Sequence, residues 1–409
     1  SSAASDVYKR QAILGYGTVG SGVAEVLSCN QELIAKRAGN PIEVKYILDL
    51  RDFPGDPNET KVVHDIEVIL QDPEISIVCE TMGGNEPAYT FSKRALEAGK
   101  SVCTSNKELV ANHGAELLRL AQENGCNYFF EASVGGGIPI IRPINNCLTA
   151  ERIVEVSGIL NGTTNYILTK MEQEGMLFEE ALGQAQALGY AERNPEADVE
   201  GYDACRKIAI LTSLVAGKTV DFHKIHTEGI TGIDPTDFAY AKKLDATIKL
   251  LAVSRETEDG YQISVAPYLL KKENALAGVN DVFNAVAVCG NTLGDTMFYG
   301  RGAGKLPTAS AVVADVVECA RHLQKTVGCL WEEGEAKVAD FDSQEGRFFV
   351  RVSKKARADV EKVFGAVVPV VLDSALEEFA FVTESMQEAE FEKCREQIFG
   401  FVKKIRIKD

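Results

Sequence analysis

The feature that most constrains the fold is a glycine turn near the start of the chain, GYGTVG at residues 15–20. The apolar run QAILG precedes the turn, and VGSGVAEVL continues from it with helical spacing. Between a strand and a helix, such glycines permit a tight turn, close approach of a pyrophosphate, and close packing of helix on strand. The helix N-terminus then faces the phosphates. We assign the cofactor contacts of this turn to Gly15, Gly17, Thr18, Val19 and Gly20.

The segments after the turn continue the alternation of strands and helices. Residues 41–50 read as a second strand, and residues 74–84 and 101–111 each begin as apolar strands that end in polar or glycine turns. Residues 87–99 have a proline start, helical periodicity and a glycine stop. This alternation predicts an α/β domain with a parallel sheet and right-handed crossovers.

The pattern changes after residue 135. Apolar β-rich runs and amphipathic helices indicate an α+β domain in which helices cover one sheet. Its predicted strands are 154–160, 261–270, 281–290 and 295–300, and its long helix is 201–217. A further helix, residues 302–323, opens with glycine and proline and is expected to pack back on the first domain.

The last 64 residues suggest a third unit, after a polar linker at 331–346. The order is strand, helix, strand, strand, helix, strand, with the second strand at AVVPVVL (366–372). This order is the ferredoxin-like split motif. A chain of 409 residues exceeds what one core usually organises. We therefore predict a Rossmann-type dinucleotide-binding domain, an α+β substrate and dimerisation domain, and a small ferredoxin-like (ACT-like) domain. Their expected bounds are 1–135 with about 302–325, 136–301 and 346–409.

The charge balance narrows the choice of partners. Sixty acidic residues against 43 basic ones give a formal charge of −17, which repels nucleic-acid backbones and anionic membrane surfaces. We expect a small-molecule substrate, and neither a nucleic-acid nor a membrane partner. The ten cysteines are scattered without metal-type spacing, and the N-terminus SSAASDVYKR lacks an apolar core, so we expect a cytoplasmic protein with reduced thiols.

The end of the second strand bears on the choice of nicotinamide cofactor. An acidic residue there accepts the ribose hydroxyls of NAD, whereas an arginine holds the 2′-phosphate of NADP. The sequence LDLRDF offers both, Asp49 and Arg51. NAD, NADP and dual use all stay open, with a slight preference for NAD or dual use.

Several blocks of the sequence resemble the homoserine dehydrogenase family over roughly residues 10 to 325. They are TSNKELVA, EASVGGGIPIIRP, GILNGTTNYILTKM, GYAERNPEADVEGYDACRKIAIL and GRGAGKLPTASAV. The resemblance implies NAD(P)-dependent interconversion of L-homoserine and L-aspartate 4-semialdehyde, in threonine, methionine and isoleucine biosynthesis. Two other hypotheses are kept: another NAD(P)-dependent amino-acid dehydrogenase, and a non-catalytic NAD-binding amino-acid sensor.

Reduction of a carbonyl needs a hydride donor and a positioned acid that delivers a proton to the oxygen. Asp203 and Lys207 lie four apart on a predicted, largely apolar helix and share one face, so the pair is expected to be buried. The resemblance makes Lys207 the proton donor and Asp203 the acid beside it. Lys107, at a strand end, is a second candidate. The resemblance places it on the cofactor and substrate side, with Thr104 and Ser105 beside the nicotinamide.

The remaining site residues are expected to bind substrate, cofactor or a cation. Carboxylates suit the substrate ammonium, and a hydroxyl and free amides before a helix suit its carboxylate. We assign substrate binding to Glu192, Asp198, Gly162 and Thr163, and the resemblance implies the same role for Tyr190. The resemblance also implies a cofactor contact at Gly302. It implies a monovalent cation, usually sodium, on the main chain of Glu131, Val134, Gly136 and Ile138.

The C-terminal order resembles an ACT domain, a module associated with amino-acid feedback. Such domains usually have a glycine before the first helix, and VSKKARADV lacks it. Threonine binding and a purely dimer-forming or structural role therefore both stay open. We expect a homodimer, with a homotetramer as the alternative, because the β-rich runs from 261 to 300 need a covering surface.

Overall fold

The structure is a computed structural model that describes residues 9–372 and 376–408. The N-terminal segment 1–8, in which we sought a targeting signal, lies outside the described residues. The chain divides into two compact units. Unit 1 comprises Ser1–Glu151, Ala209–Asp221 and Gly300–Ala336, and unit 2 comprises Arg152–Ile208, Phe222–Tyr299 and Lys337–Asp409.

The elements are numbered in chain order. The first part contains β1 (Lys9–Leu14), α1 (Thr18–Cys29), α2 (Gln31–Ala38), β2 (Ile42–Leu48), β3 (Val62–Val63), α3 (Ile66–Leu70), β4 (Ile75–Glu80), α4 (Ala88–Glu97), β5 (Ser101–Thr104), α5 (Lys107–Glu123), β6 (Tyr128–Phe129) and α6 (Ala132–Gly135). The middle contains β7 (Ile153–Ile159), α7 (Gly162–Glu174), α8 (Phe178–Ala187), α9 (Glu196–Val199), α10 (Tyr202–Ala216), β8 (Lys218–Thr219), β9 (His226–Thr227), α11 (Pro235–Lys243), β10 (Ala246–Thr257), β11 (Gly260–Lys271), β12 (Phe283–Gly290), β13 (Gly294–Arg301) and α12 (Lys305–Arg321). The last part contains β14 (Glu332–Glu335), β15 (Glu345–Gly346), β16 (Phe348–Ser353), α13 (Arg357–Phe364), β17 (Glu378–Val382), β18 (Met386–Gln387), α14 (Glu388–Arg395) and β19 (Phe401–Lys408).

Unit 1 contains a parallel sheet in the order β3-β2-β1-β4-β5-β6. That is the doubly wound order of Rossmann-type domains, as predicted. The residues of β1, β4 and β5 are almost all buried, as expected of parallel strands that helices cover on both faces. The prediction for 302–323 is confirmed, because α12 shares a core with the sheet, where Val312 and Val316 join Ile13 and Cys79.

Unit 2 contains a mixed sheet in the order β13-β12-β7-β10-β11-β19-β16-β17. The predicted strands at 154–160, 261–270, 281–290 and 295–300 all form. The sequence analysis missed β10, which pairs with β11 from Ala246 and Lys271 to Thr257 and Gly260. Helix α10 begins in unit 2 and continues in unit 1, with the division after Ile208.

The C-terminal segment departs from the prediction at one strand. Residues 366–372 form only an isolated bridge, between Val370 and Ala380, instead of the expected strand. Pro369 lies inside this run and has no amide hydrogen to donate, which limits such a run to a sheet edge. The other predicted helices and strands form, and β19, β16 and β17 pair antiparallel as neighbours. The ACT-like assignment stays a prediction.

Two strand pairings join segments that the expected domain bounds separate. The predicted linker at 331–346 is wrong at its start, because β14 pairs with β8 in unit 1 and the Trp331 indole is buried and donates to Thr219 Oγ1 at 3.0 Å. Strand β19 pairs with β11, so the C-terminal strands extend the sheet of unit 2. The division into three domains stays a prediction.

An ionic cluster holds the C-terminal strands to α11 within unit 2. The Arg351 guanidinium donates to Asp234 at 2.9 Å, to Asp237 at 2.5 Å and to Glu378 at 3.0 Å. The side chain of Asp237 is fully buried, and Lys403 is its second cationic partner. A buried carboxylate needs such partners because removing it from water is costly.

We therefore expect Arg351→Ala to lower the free energy of unfolding by about 3–5 kcal/mol, since it leaves the Asp237 carboxylate with half its pairing. The measurement is urea unfolding followed by circular dichroism. Arg357→Ala is the control, because Arg357 pairs with Glu361 at the surface, where ion pairs contribute little. Equal losses in the two variants would contradict a structural role for the cluster.

Candidate active site

The glycine turn has the geometry of a dinucleotide site. Gly15 has a φ of +86°, and an added Cβ there would lie 2.9 Å from the Met82 side chain. A Cβ at Gly20 would lie 2.0 Å from the carbonyl oxygen of Gly15, so α1 could not pack as closely with any larger residue. Beyond Gly17 itself and its two chain neighbours, no atom of the described residues lies within 4 Å of a Cβ built at Gly17. Gly17 thus leaves open space where the backbone would meet a pyrophosphate.

Asp49 and Arg51 form a tight pair beside this turn. The Arg51 guanidinium donates to both Asp49 carboxylate oxygens, at 3.0 and 3.1 Å, and the Tyr16 amide donates to Asp49 Oδ2 at 2.8 Å. The Arg51 hydrogen bonds, joined by that of the Tyr16 amide, hold the Asp49 pKa well below its usual range. Asp49 is therefore an anionic anchor for the turn, and Arg51 remains 63% exposed.

A cavity of about 510 Å³ adjoins the turn and this pair. Leu50, Ile66, Pro87 and Phe91 give it an apolar lining that suits an adenine ring. His64 lies at the same cavity, with Nδ1 2.7 Å from the carbonyl oxygen of Asp49. That hydrogen bond is the largest of the effects that raise the pKa of His64.

The strand end predicted to meet the nicotinamide is built on a buried carboxylate. Glu80, at the end of β4, accepts from Thr104 Oγ1 at 2.5 Å and from the Met82 amide at 2.8 Å, and burial raises its pKa. Ser105 follows β5, and its amide reaches the Glu80 carbonyl oxygen at 3.4 Å. Lys107 is the first residue of α5, half-buried.

Hydrogen bonds to the Glu131 side chain tie together the turn that is predicted to hold a cation. The Glu131 carboxylate accepts three amides, those of residues 140, 141 and 142, at 2.6 to 2.8 Å. Arg142 Nε also lies 3.4 Å from Glu131 Oε2. Gly136 has a φ of +55°, and an added Cβ would lie 2.3 Å from the carbonyl oxygen of Gly302. Val134 and Ile138 are buried. No cluster of His, Cys, Asp and Glu suited to a metal occurs in residues 9–372 and 376–408.

In unit 2, the structure brings Asp203 and Lys207 together as predicted. Lys207 Nζ donates to Asp203 Oδ2 at 2.7 Å and to the Leu160 carbonyl oxygen at 2.9 Å. The two side chains are only 5% and 11% exposed, so the pair is not an ordinary surface ion pair. A lysine ammonium has three donor hydrogens, and these contacts use two of them.

Asn161 joins the predicted carboxylates, and the sequence analysis missed it. Its Nδ2 donates to Asp198 Oδ1 at 2.8 Å and to Asp203 Oδ2 at 3.0 Å. Its Oδ1 caps α7 by accepting from the Thr164 amide at 2.9 Å. Asn161 thus fixes the spacing of two carboxylates that lie on different elements.

The remaining substrate residues lie around the start of α7 and the loop before α9. Gly162 and Thr163 are the first two residues of α7 rather than residues before it. Thr163 Oγ1 donates to the Tyr190 carbonyl oxygen at 2.6 Å, and the Tyr190 ring packs edge-on against Tyr166. The Glu192 side chain is exposed, and its backbone carbonyl accepts from Gln186.

Some important residues of both sites were absent from the sequence-based assignment. They are Glu80, Asn106, Asn161 and Asp315. A sequence signal existed for the two asparagines, because Asn before a helix is a common N-cap. Nothing in the local pattern distinguishes Glu80 or Asp315, whose partners come from distant segments.

A Rossmann-type sheet with a glycine turn, together with a buried lysine–carboxylate pair, defines the class of NAD(P)-dependent oxidoreductases. Two family models match the chain: the homoserine dehydrogenase NAD binding domain at residues 15–131, and homoserine dehydrogenase at residues 139–317. The chain belongs to the homoserine dehydrogenase family.

Individual relatives agree with this assignment. The homoserine dehydrogenase of Bacillus subtilis is 38% identical over 408 residues, which span 93% of each chain. The crystal structure of a homoserine dehydrogenase from Thiobacillus denitrificans matches with a TM-score of 0.90 and 34% identity, over 98% of each chain. A hyperthermophilic archaeal homoserine dehydrogenase in complex with NADPH matches with a TM-score of 0.66 and 29% identity, over 76% of this chain and 97% of its own.

The glycine geometry predicts different effects for two substitutions. Gly20→Ala should lower both the melting temperature and the cofactor affinity, because its methyl group would meet the Gly15 carbonyl oxygen at 2.0 Å. Gly17→Ala should weaken cofactor binding about tenfold or more while the melting temperature stays near that of the parent. NADPH fluorescence titration and thermal unfolding measure the two effects. Gly183→Ala, at an exposed position of α8, is the control. A Gly17→Ala protein that binds normally would count against the phosphate assignment.

Proposed function

We propose that this chain interconverts L-homoserine and L-aspartate 4-semialdehyde, in the branch that leads to threonine, methionine and isoleucine. The buried pair of Asp203 and Lys207 is the observation that carries the proposal, because a protein that only bound NAD would not need a desolvated proton donor. The family assignment favours this interpretation over the two alternatives, another amino-acid dehydrogenase and a non-catalytic sensor.

When bound, NAD(P) supplies or accepts the hydride at the substrate carbon. Lys207 holds the substrate oxygen with its remaining donor hydrogen and delivers a proton to it as the carbonyl is reduced. Asp203 holds the ammonium in place, together with the Leu160 carbonyl oxygen. In the reverse direction Lys207 takes the proton from the hydroxyl of homoserine.

The other residues orient the two bound molecules. We assign Glu192 and Asp198 to the substrate ammonium on grounds of charge. The first amides of α7, at Gly162 and Thr163, face its carboxylate together with Tyr190. Thr104, Ser105 and Lys107 lie at the end of β5 and the start of α5, which supports a place beside the nicotinamide. Gly302 packs against the turn at Gly136, which supports its assignment to the cofactor side.

We propose that the site accepts both NAD and NADP. The Arg51 guanidinium neutralises Asp49, so a 2′-phosphate would meet a paired carboxylate and not an unpaired one. Arg51 is exposed and has the planar donors that suit a phosphate. The NADPH complex of the archaeal relative supports the use of NADP.

Arg51→Ala should therefore raise the KM for NADP about tenfold or more and leave the KM for NAD nearly unchanged, because only NADP carries the 2′-phosphate. Steady-state kinetics with both cofactors measure the ratio. Arg37→Ala, also in unit 1 but away from the turn, is the control. An equal rise for both cofactors would mean that Arg51 acts only through Asp49.

The proton-donor role gives a second test. Lys207→Met should lower kcat by about 100-fold or more while NADPH still binds, because general acid catalysis contributes factors of that size. Lys170→Met is the matched control. Lys170 also pairs with a carboxylate four residues away along its helix, Glu174, but this pair lies at the surface of α7. Formation of NAD(P)H is followed at 340 nm with homoserine as substrate. An unchanged kcat in a folded Lys207→Met protein would return the pair to a structural role.

Three further expectations stay proposals. The main-chain oxygens of Glu131, Val134, Gly136 and Ile138 would hold a monovalent cation, usually sodium, and its charge would steady the turn. Exposed Met297 and Tyr299 on the edge strand β13 support assembly as a homodimer or homotetramer. The ten cysteines are all free thiols, which supports a cytoplasmic location.

One structural finding concerns whether a helix of this chain could cross a membrane. Within residues 9–372 and 376–408, the helices are too short or too polar to span a bilayer.

A further inference from the structure

We propose that Asn161 is a positioning residue for the reaction: its side-chain amide sets the distance between the carboxylate of Asp198 and that of Asp203. The proposal rests on the proposed function, in which Asp198 binds the substrate ammonium and Asp203 holds Lys207. It adds a residue that was not among the site residues assigned from the sequence.

The orientation of the Asn161 amide is fixed from both sides. Oδ1 accepts from the Thr164 amide at 2.9 Å and lies 3.1 Å from Thr164 Oγ1. The NH2 group therefore points away from α7, toward Asp198 Oδ1 at 2.8 Å and Asp203 Oδ2 at 3.0 Å. A flipped amide would place an oxygen against two carboxylates, which would repel it.

The two carboxylates lie on different helices, and the Asn161 amide bonds to both of them. Asp198 belongs to the short helix α9 and Asp203 to the first turn of α10, with Gly201 at a φ of +82° between them. Asn161 belongs to neither helix and is 6% exposed. Its two donor hydrogens therefore hold both carboxylates at the N-terminus of α7.

The contacts of Asn161 also close a ring with the catalytic lysine. Asp203 Oδ2 accepts from both Asn161 and Lys207, and Lys207 donates in addition to the carbonyl oxygen of Leu160, the neighbour of Asn161. Any shift of Asn161 therefore displaces the ammonium that faces the substrate oxygen. Positioning of this kind is worth large factors in rate, because small displacements of reacting groups are costly.

The test separates positioning from helix capping. Serine and aspartate cap helices about as well as asparagine, so a residue that only capped α7 would tolerate Asn161→Ser and Asn161→Asp equally. A serine hydroxyl is too short to reach Asp198 and Asp203, and an aspartate would place a third carboxylate against them. We expect kcat/KM for homoserine to fall at least tenfold in Asn161→Ser and further in Asn161→Asp. The loss should include a higher KM for homoserine, and the Kd for NADPH should stay unchanged.

Asn274→Ser is the matched control, because Asn274 caps a short turn in unit 2 by accepting the Leu276 amide at 3.0 Å. The full-length protein is used throughout, and melting temperatures are recorded for every variant. If Asn161→Asp does not fold, Asn161→Ser alone decides. Parental kinetics in Asn161→Ser, equal losses in the Ser and Asp variants, or losses that follow the melting temperature would each overturn the proposal. Failure of the parent protein to oxidise homoserine would instead refute the proposed function.

Discussion

The buried ammonium of Lys207 is the interaction on which the proposed chemistry depends. An isolated charge at this depth would be strongly unfavourable, so the fold must supply partners for it. It does so from two directions, with a carboxylate one helical turn earlier and with a carbonyl oxygen at the end of β7. Both partners are acceptors, and they leave a donor hydrogen for a substrate oxygen. The partners that satisfy this charge thus also shape the proposed proton donor.

Buried carboxylates outside the substrate residues are also satisfied by hydrogen bonds. Glu80 at the end of β4, Glu131 just before α6 and Asp237 in α11 each accept several hydrogen bonds. Each carboxylate fixes a loop or a strand whose position matters for binding or for folding. These carboxylates fix the positions of their partners more than they add to the free energy of unfolding. The cost of removing a carboxylate from water is about as large as the gain from its hydrogen bonds.

The sequence predicted the elements well where local pattern and tertiary environment agree. The strand–turn–helix at the glycine turn, the parallel sheet and the helix at 302–323 all formed as expected. The prediction was wrong at 366–372, where a proline interrupts an apolar run, and at the start of 331–346, where a polar stretch pairs in a sheet. It missed β10 because ATIKLLAVSRET lacks the strict alternation of a half-buried strand; most of it is buried.

The candidate site divides in the same way. Sequence alone determined the glycine turn, the neighbouring pair of Asp49 and Arg51, and the shared face of Asp203 and Lys207, because each depends on residues close together in the chain. Only the tertiary structure decided that Arg51 neutralises Asp49 and that Lys207 is bonded to the carbonyl oxygen of Leu160. It alone decided that Asn161 joins Asp198 to Asp203, across 37 and 42 positions of sequence. Such hydrogen bonds depend on how strands and helices pack, and no local pattern of residues carries that information.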